Sequence, residues 1–123
     1  MKKVVSIALA LLMVAVMLPV MAMAEGTTLQ SRIDAGETTI TLTENVTESI
    51  TIPKDKTVTL NLNGNTLTNE ANKDTITVAL GGTLTIEGAG TVDNISHGRA
   101  AVYNNGTVTI NGGTYTRSEE KGT

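Results

Sequence analysis

The sequence predicts an all-β fold in which short parallel strands stack as a solenoid, that is, a parallel β-helix. From residue 38 onward, apolar residues alternate with Thr, Asn or Ser, which is typical of strands with one buried face. Similar segments recur about every 24 residues, as in residues 82–94 and 106–117, and a fixed period in the twenties is typical of solenoids. The chain has neither Phe nor Trp, which suits a core of stacked Val, Ile and Leu.

The N-terminal residues 1–24 predict a secretory signal peptide that is removed before Glu25. Two lysines precede an apolar run over residues 4–18, and small residues stand at positions −3 and −1, the second being Ala24. A membrane anchor is the alternative, but the apolar run is short for a full span. We therefore expect a secreted or cell-surface bacterial protein with no membrane segment after cleavage.

Charge and cysteine content limit the partners of the mature chain. Without residues 1–24, 99 residues remain, with 7 Lys and Arg against 12 Asp and Glu, which gives a net charge of −5. This balance argues against nucleic acid and anionic membrane surfaces as partners. The chain has no cysteine, so an exported domain must be stable without disulfides.

A short helix is expected at the start of the mature chain, in the segment TTLQSRIDA. Thr27 or Thr28 can cap its N-terminus, and Gly36 ends it. Leu29 and Ile33 lie on one face at helical spacing. The predicted organisation is a signal peptide (1–24), an N-terminal cap helix (25–37), a parallel β-helix (38–117) and a frayed tail (118–123).

Each repeat contains three short strands: an Ile/Val pair, a Leu/Ile pair, and one apolar residue after a Gly-containing turn. Aligned at about 24 residues, the repeats predict these inward columns: Leu60–Leu84–Val108, Leu62–Ile86–Ile110, Leu67–Val92–Tyr115, Ile50–Ile76–Ala100 and Ile52–Val78–Val102. They predict these outward columns: Thr59–Thr83–Thr107, Asn61–Thr85–Thr109 and Thr51–Thr77–Ala101. The two extra residues of the first Ile/Val interval are assigned to the turn at 53–56.

Two other folds share part of this pattern. A leucine-rich repeat has a similar period but needs a longer L-x-x-L-x-L frame, which no repeat here contains. A β-sandwich does not require a constant repeat length. The constant repeat therefore favours a solenoid of about three and a half rungs, where one rung is a set of three successive strands.

The segments KTVTLNLNGNTLTN, GGTLTIEGAGTVDN and NNGTVTINGGTYTR resemble the rungs of right-handed parallel β-helix proteins of the pectate-lyase-like superfamily. In particular, they are similar to adhesin-like bacterial surface proteins. Residues 29–35 resemble the helix that caps such folds at the N-terminus. The resemblance covers residues 28–117 and implies a right-handed coil. It implies little about activity, because the superfamily contains lyases, hydrolases, phage tailspikes and non-enzymatic adhesins.

Asp93, His97 and Arg99 are the candidate catalytic residues, in the segment that joins one rung to the next. The tripeptide SHG resembles the G-H-G of polygalacturonase-like hydrolases, but glycoside hydrolysis needs two facing carboxylates and no Asp-Asp pair is present. A solvated loop is the favoured interpretation, and we expect no catalytic site.

Calcium is the cofactor that a pectate-lyase-type activity would use, held by several clustered Asp. The mature aspartates lie in different turns, and only Asp55 and Asp74 are candidates for vertical alignment. Two isolated acids form a weak calcium site, so we expect neither a metal site nor a cofactor.

Thr83, Thr85, Thr107 and Thr109 are the candidate binding residues, together with the aromatic Tyr103. Flat T-x-T arrays on solenoids resemble ice-binding surfaces. The alternative explanation is the strand propensity of threonine on a polar outer face. The predicted columns favour this alternative, because they are interrupted by Asn61 and Ala101.

The expected function is that of a structural or adhesive β-helix module without catalytic activity. Its expected partner is a polysaccharide, by resemblance, or another copy through an open C-terminal edge. A polysaccharide lyase or glycoside hydrolase is the alternative, and an ice-binding surface is a lesser one. Three covers are considered for the last rung: further rungs of a longer adhesin, the charged residues 117–121, or a second copy.

Overall fold

The computed structural model describes residues 27–96 and 98–117. The expected signal peptide with its cleavage site at Ala24 and Glu25, the side chain of His97 and the expected tail at 118–123 lie outside the described residues. The described part contains one helix, α1 (Leu29–Asp34), and these strands: β1 (Thr39–Thr41), β2 (Val46–Thr47), β3 (Ile50–Ile52), β4 (Thr57–Asn61), β5 (Thr66–Thr68), β6 (Ile76–Val78), β7 (Thr83–Glu87), β8 (Thr91–Asn94), β9 (Val102–Asn104), β10 (Thr107–Ile110) and β11 (Thr114–Arg117).

The strands form three parallel sheets. Sheet A has the order β1-β4-β7-β10, sheet B has β2-β5-β8-β11, and sheet C has β3-β6-β9. Every strand therefore pairs with the strand three places later in the chain, and all of these pairs are parallel. The prediction of a mostly β chain with stacked parallel strands and one short helix is confirmed. The arrangement is consistent with a β-helix-like solenoid.

Helix α1 begins at a capping box. The Thr28 hydroxyl accepts a hydrogen bond from the Ser31 N–H at 3.0 Å, and Ser31 Oγ accepts one from the Thr28 N–H at 3.0 Å. Leu29 and Ile33 are buried, and the helix packs against β3. Gly36 follows the helix with a φ of 95°. The expected helix is confirmed, with Thr28 as its N-cap.

The core consists of columns of aliphatic side chains that pass through successive rungs. The principal columns are Ile40–Leu60–Ile86–Ile110, Val58–Leu84–Val108, Val46–Leu67–Val92–Tyr115, Ile50–Ile76–Val102 and Ile52–Val78. In the first three rungs, nearly all of these side chains are at most 2% exposed. Each fully buried Leu or Ile stabilises the fold by about 1.5–3 kcal/mol, so the stack has a continuous hydrophobic core despite the lack of Phe and Trp.

The observed pairing differs by two residues from the predicted columns in two places. Leu60 pairs with Ile86, whereas the alignment at 24 residues predicted Leu84. Ile76 pairs with Val102, whereas Ala100 was predicted. Strand side chains alternate with a period of two, so a shift of two residues leaves every apolar side chain facing inward. The hydrophobic pattern therefore could not distinguish the two registers.

The lengths of the turns set the observed register. Residues 53–56 connect β3 to β4 and residues 79–82 connect β6 to β7, so these turns have equal length. The prediction that 53–56 holds two extra residues is wrong. The short turn is the one between β9 and β10, which consists of Asn105 and Gly106. A Cβ at Gly106 would lie 2.4 Å from the Gly82 carbonyl oxygen, so only glycine fits this close approach.

Candidate functional site

The outer surface of sheet A carries the most regular array of functional groups in the described residues. Strands β4, β7 and β10 each contribute a T-x-T pair, and parallel pairing places these pairs side by side. We call the resulting grid the threonine face; its members are Thr57, Thr59, Thr83, Thr85, Thr107 and Thr109. Neighbouring hydroxyls are spaced by about 4.8 Å across the strands and roughly 6.6 Å along them, as strand geometry dictates.

The observed register makes both columns of the threonine face continuous. Thr57, Thr83 and Thr107 form one column. The second column, which Thr39 extends by one rung, is Thr39–Thr59–Thr85–Thr109. The predicted interruption by Asn61 is wrong, because Asn61 pairs with Glu87 in a third column.

The hydroxyls of the threonine face have no protein partners in the described ranges. Thr68, Thr75 and Thr116 form side-chain hydrogen bonds to other residues, whereas no member of the threonine face does. Each hydroxyl has one donor and two acceptor positions. Because β-branched side chains are stiff at χ1, the face is rigid before any ligand arrives. It can therefore form repeated hydrogen bonds with a ligand of matching period.

Tyr103 lies on a different sheet from the four predicted threonines. It is 50% exposed on β9 and pairs with Thr77 of β6. Tyr103, and not the predicted Ala101, thus continues the outward column of sheet C, because the register of β9 is shifted by two residues. Of the predicted binding residues, the structure brings together Thr83, Thr85, Thr107 and Thr109 and separates them from Tyr103.

The candidate catalytic residues have different partners. The Asp93 carboxylate lies on β8 and accepts hydrogen bonds from Thr116 Oγ1 at 2.6 Å and Thr68 Oγ1 at 3.4 Å. Arg99 Nε donates to Asn72 Oδ1 at 3.1 Å in the following loop. These contacts connect neighbouring rungs.

Two buried asparagines at the ends of β5 and β8 form a polar column that the sequence analysis did not identify. Asn69 is 3% exposed and Asn94 is fully buried. Asn94 Nδ2 donates to the carbonyls of Lys73 and Ala100 at 2.8 Å each, and Asn94 Oδ1 accepts from the Ser96 N–H at 2.7 Å. The signal was an Asn that ends LTN and VDN at a spacing of 25 residues. Because these amides satisfy loop backbone groups, their role is structural.

The aspartates considered for calcium lie in different columns. The Asp55 N–H donates to the Gly81 carbonyl at 3.1 Å, whereas Asp74 Oδ1 accepts from the Ala100 N–H at 2.8 Å. The proposed alignment of these two acids is therefore wrong. Within residues 27–96 and 98–117, no group of three or more His, Cys, Asp or Glu could hold a metal ion. In the same ranges, no helix has the length and apolarity to cross a membrane.

A second feature is the concavity at the C-terminal end of the stack. Its volume is about 320 Å³, and it is lined by Ala101, Val102, Ile110, Tyr115, Thr116 and Arg117. Tyr115 packs against the core as predicted, and its hydroxyl donates to the Gly112 carbonyl at 2.7 Å. Burial raises the pKa of the Tyr115 phenol.

The described chain thus offers a polar periodic face and an apolar end. No protein family, no curated protein and no solved structure matches the chain.

Proposed function

We propose that the chain is a right-handed parallel β-helix module of a secreted or cell-surface bacterial protein, similar to the adhesin-like members of the pectate-lyase-like superfamily. In this proposal, it is a structural and adhesive element that binds polysaccharide and has no catalytic site. The observation that carries the proposal is the register of the threonine face, which aligns six hydroxyls in two continuous columns.

A polysaccharide suits this face because it is a polymer of regularly spaced hydroxyl groups. The threonine side chains lose little rotamer freedom on binding, which lowers the cost of forming many weak hydrogen bonds. Glu87 stands in the next column of the same sheet, and the mature chain carries a net charge of −5. A neutral polysaccharide is therefore favoured over an acidic one.

The test is binding of the mature chain to a panel of neutral and uronic-acid polysaccharides, with the double variant Thr85→Val/Thr109→Val. This variant removes two stacked hydroxyls and keeps the side-chain shape. The matched control is Thr66→Val/Thr91→Val, which makes the same change on sheet B. We expect at least a tenfold loss of affinity for the first variant only. Equal losses in both variants, or binding of none of the polymers, would overturn the proposal.

Ice is the second candidate ligand, because the observed register removes the interruption that counted against it. A flat T-x-T grid presents hydroxyls and methyl groups at constant spacings in two directions. The test is thermal hysteresis of the mature chain, with Thr83→Leu as the variant and Thr91→Leu on sheet B as its control. Hysteresis that is lost only in Thr83→Leu supports ice binding. Absence of hysteresis in the unaltered chain contradicts it.

A polysaccharide lyase or hydrolase that uses Asp93, His97 and Arg99 is the enzymatic alternative. Uronic-acid polymer incubated with the chain, with and without Ca²⁺, distinguishes it from the adhesive proposal. We expect no unsaturated product. A product that disappears in His97→Ala or Arg99→Ala would establish the enzymatic function instead.

A further inference from the structure

The N-terminal end of the stack is closed by helix α1. The Glu48 carboxylate accepts hydrogen bonds from the N–H groups of Leu29 at 3.0 Å and Gln30 at 2.8 Å. Gln30 in turn bonds the backbone of Thr51 through both atoms of its side-chain amide. Leu29 and Ile33 cover the core and are at most 1% exposed. This end therefore offers no open strand edge at Thr51 to another chain.

The C-terminal end is open in the described residues. Ile110 is 52% exposed, whereas Leu60 and Ile86 of the same column are at most 2% exposed. Val108 and Tyr115 of the last rung are only partly buried. The residues that follow Arg117 are Ser-Glu-Glu-Lys-Gly-Thr, which contain no aliphatic side chain to continue the inward columns.

Backbone groups of the last rung also point to this open side. The N–H groups of Thr107 and Asn111 donate back to the carbonyls of Gly82 and Ile86. In a parallel ladder the direction alternates along the strand, so the N–H groups of Val108 and Ile110 point away from β7. By the same alternation, Thr114 bonds back to Gly90 on β8, and Tyr115 points outward. An apolar surface with unpaired strand groups around it is a template for strand addition.

We propose that this open end binds the open end of a second copy of the chain. The other end of a second copy is covered by helix α1 and cannot stack here without displacing it. When two identical ends of a solenoid face one another, their strands run antiparallel. Antiparallel pairing is at least as stable per residue as the parallel pairing within the stack. The contact is the same on both copies, so the assembly closes at two and cannot grow into a fibre.

The size of the end face indicates a weak, reversible dimer. Strands of three to five residues enclose an end that buries on the order of 400 Å² from each copy, which is below the standard size of specific interfaces. Affinity must therefore come from the exposed Ile110 and the outward backbone groups. We expect dissociation constants in the micromolar range or weaker, where the mass depends on concentration. The interface does not involve the threonine face, so this proposal stands or fails independently of the proposed function.

The test is the solution mass of the chain by light scattering over a concentration series from about 1 µM to about 1 mM, which brackets the expected dissociation constant. We expect the mass to rise from one copy to two. Ile110→Asp places a charge on the end face and should keep the chain monomeric throughout. The matched control is Leu80→Asp, because Leu80 is a 79% exposed aliphatic residue in the turn between β6 and β7.

A second variant keeps the test valid if Ile110→Asp fails to fold by circular dichroism. Val108→Pro removes one outward N–H while Thr107 and Thr109 keep their bonds to β7, and proline is tolerated on an edge strand of this kind. It should also prevent dimerisation. One copy at all concentrations, a dimer unaffected by these variants, or a mass that grows beyond two copies would overturn the proposal.

Discussion

The side-chain amide of Gln30 forms both backbone hydrogen bonds that a neighbouring strand would otherwise offer to Thr51. Gln30 Nε2 donates to the Thr51 carbonyl at 2.9 Å, and Gln30 Oε1 accepts from the Thr51 N–H at 2.7 Å. One side chain from helix α1 thus caps the first strand of sheet C. The helix protects a strand edge in addition to covering the core.

Replacing Gln30 with methionine should therefore destabilise the fold. Methionine keeps the length and helix propensity of the side chain but leaves both Thr51 groups without a protein partner. We expect a loss of about 1–2 kcal/mol in the free energy of unfolding, measured by urea denaturation. Asp34→Ala is the control, because it removes only the 3.1 Å contact between Gln30 Nε2 and Asp34 Oδ1. Equal losses in both variants would contradict the capping role.

The turn at Gly106 should tolerate no side chain. A Cβ there would lie 2.4 Å from the Gly82 oxygen and 2.5 Å from the Ala79 oxygen, so Gly106→Ala must displace the backbone between β9 and β10. The control is Gly64→Ala, where φ is +79° but no atom lies within 4 Å. The control should lose about 1–2 kcal/mol from backbone strain alone. Thermal or urea unfolding should show a larger loss for Gly106→Ala, and the reverse order would contradict the structure.

Asn94 should be required for stability although it takes no part in the proposed binding. Asn94→Leu would leave the carbonyls of Lys73 and Ala100 and the N–H of Ser96 unsatisfied in a buried position. We expect a loss of about 3 kcal/mol or more in the free energy of unfolding. The matched substitution Asn72→Leu changes an exposed residue with one bond to Arg99 and should cost less than about 1 kcal/mol.

The ion pair between Arg32 and Glu37 should make a small, pH-dependent contribution. Arg32 Nε and Nη2 donate to the two Glu37 carboxylate oxygens at 2.9 and 2.8 Å, and these hydrogen bonds lower the pKa of Glu37. A lowered folded-state pKa gives stability that is complete above the unfolded pKa and is lost as the pH falls through the folded value. The Glu37 side chain is 41% exposed, so solvent screening limits the gain to roughly 0.5 kcal/mol.

A double-mutant cycle with Arg32→Gln and Glu37→Gln measures this contribution. The coupling energy should be present at pH 7 and absent near pH 2. A coupling that stays constant between these pH values would show that the carboxylate charge does not contribute.

The alternation of apolar and polar residues was sufficient to predict the strands, their parallel stacking and the helix with Leu29 and Ile33 inward. It could not predict the pairing of Leu60 with Ile86, because a two-residue shift preserves which side chains are buried. That choice depends on the short turn at Gly106, where a backbone contact between rungs decides the register. Asn94 was missed for a related reason: a buried amide that serves a loop has no hydrophobic periodicity.

The same limit applied to the threonine face. Sequence analysis identified Thr83, Thr85, Thr107 and Thr109 and stacked them correctly. It paired them with Thr59 and Asn61, and so predicted an interrupted array. The three-dimensional register supplies Thr57 and Thr59 instead. The continuity of the face is a property of the turns and could not be read from the T-x-T pairs themselves.

The pairing of β4 with β7 is the central claim, because it creates the continuous threonine face. Scalar couplings across hydrogen bonds, measured by NMR on the isotope-labelled chain, test it directly. The Thr83 N–H should couple to the carbonyl carbon of Lys56, whose oxygen it contacts at 3.0 Å. Coupling to the carbonyl of Val58 would show the register shifted by two residues, with Asn61 beside Thr85, and would contradict the account.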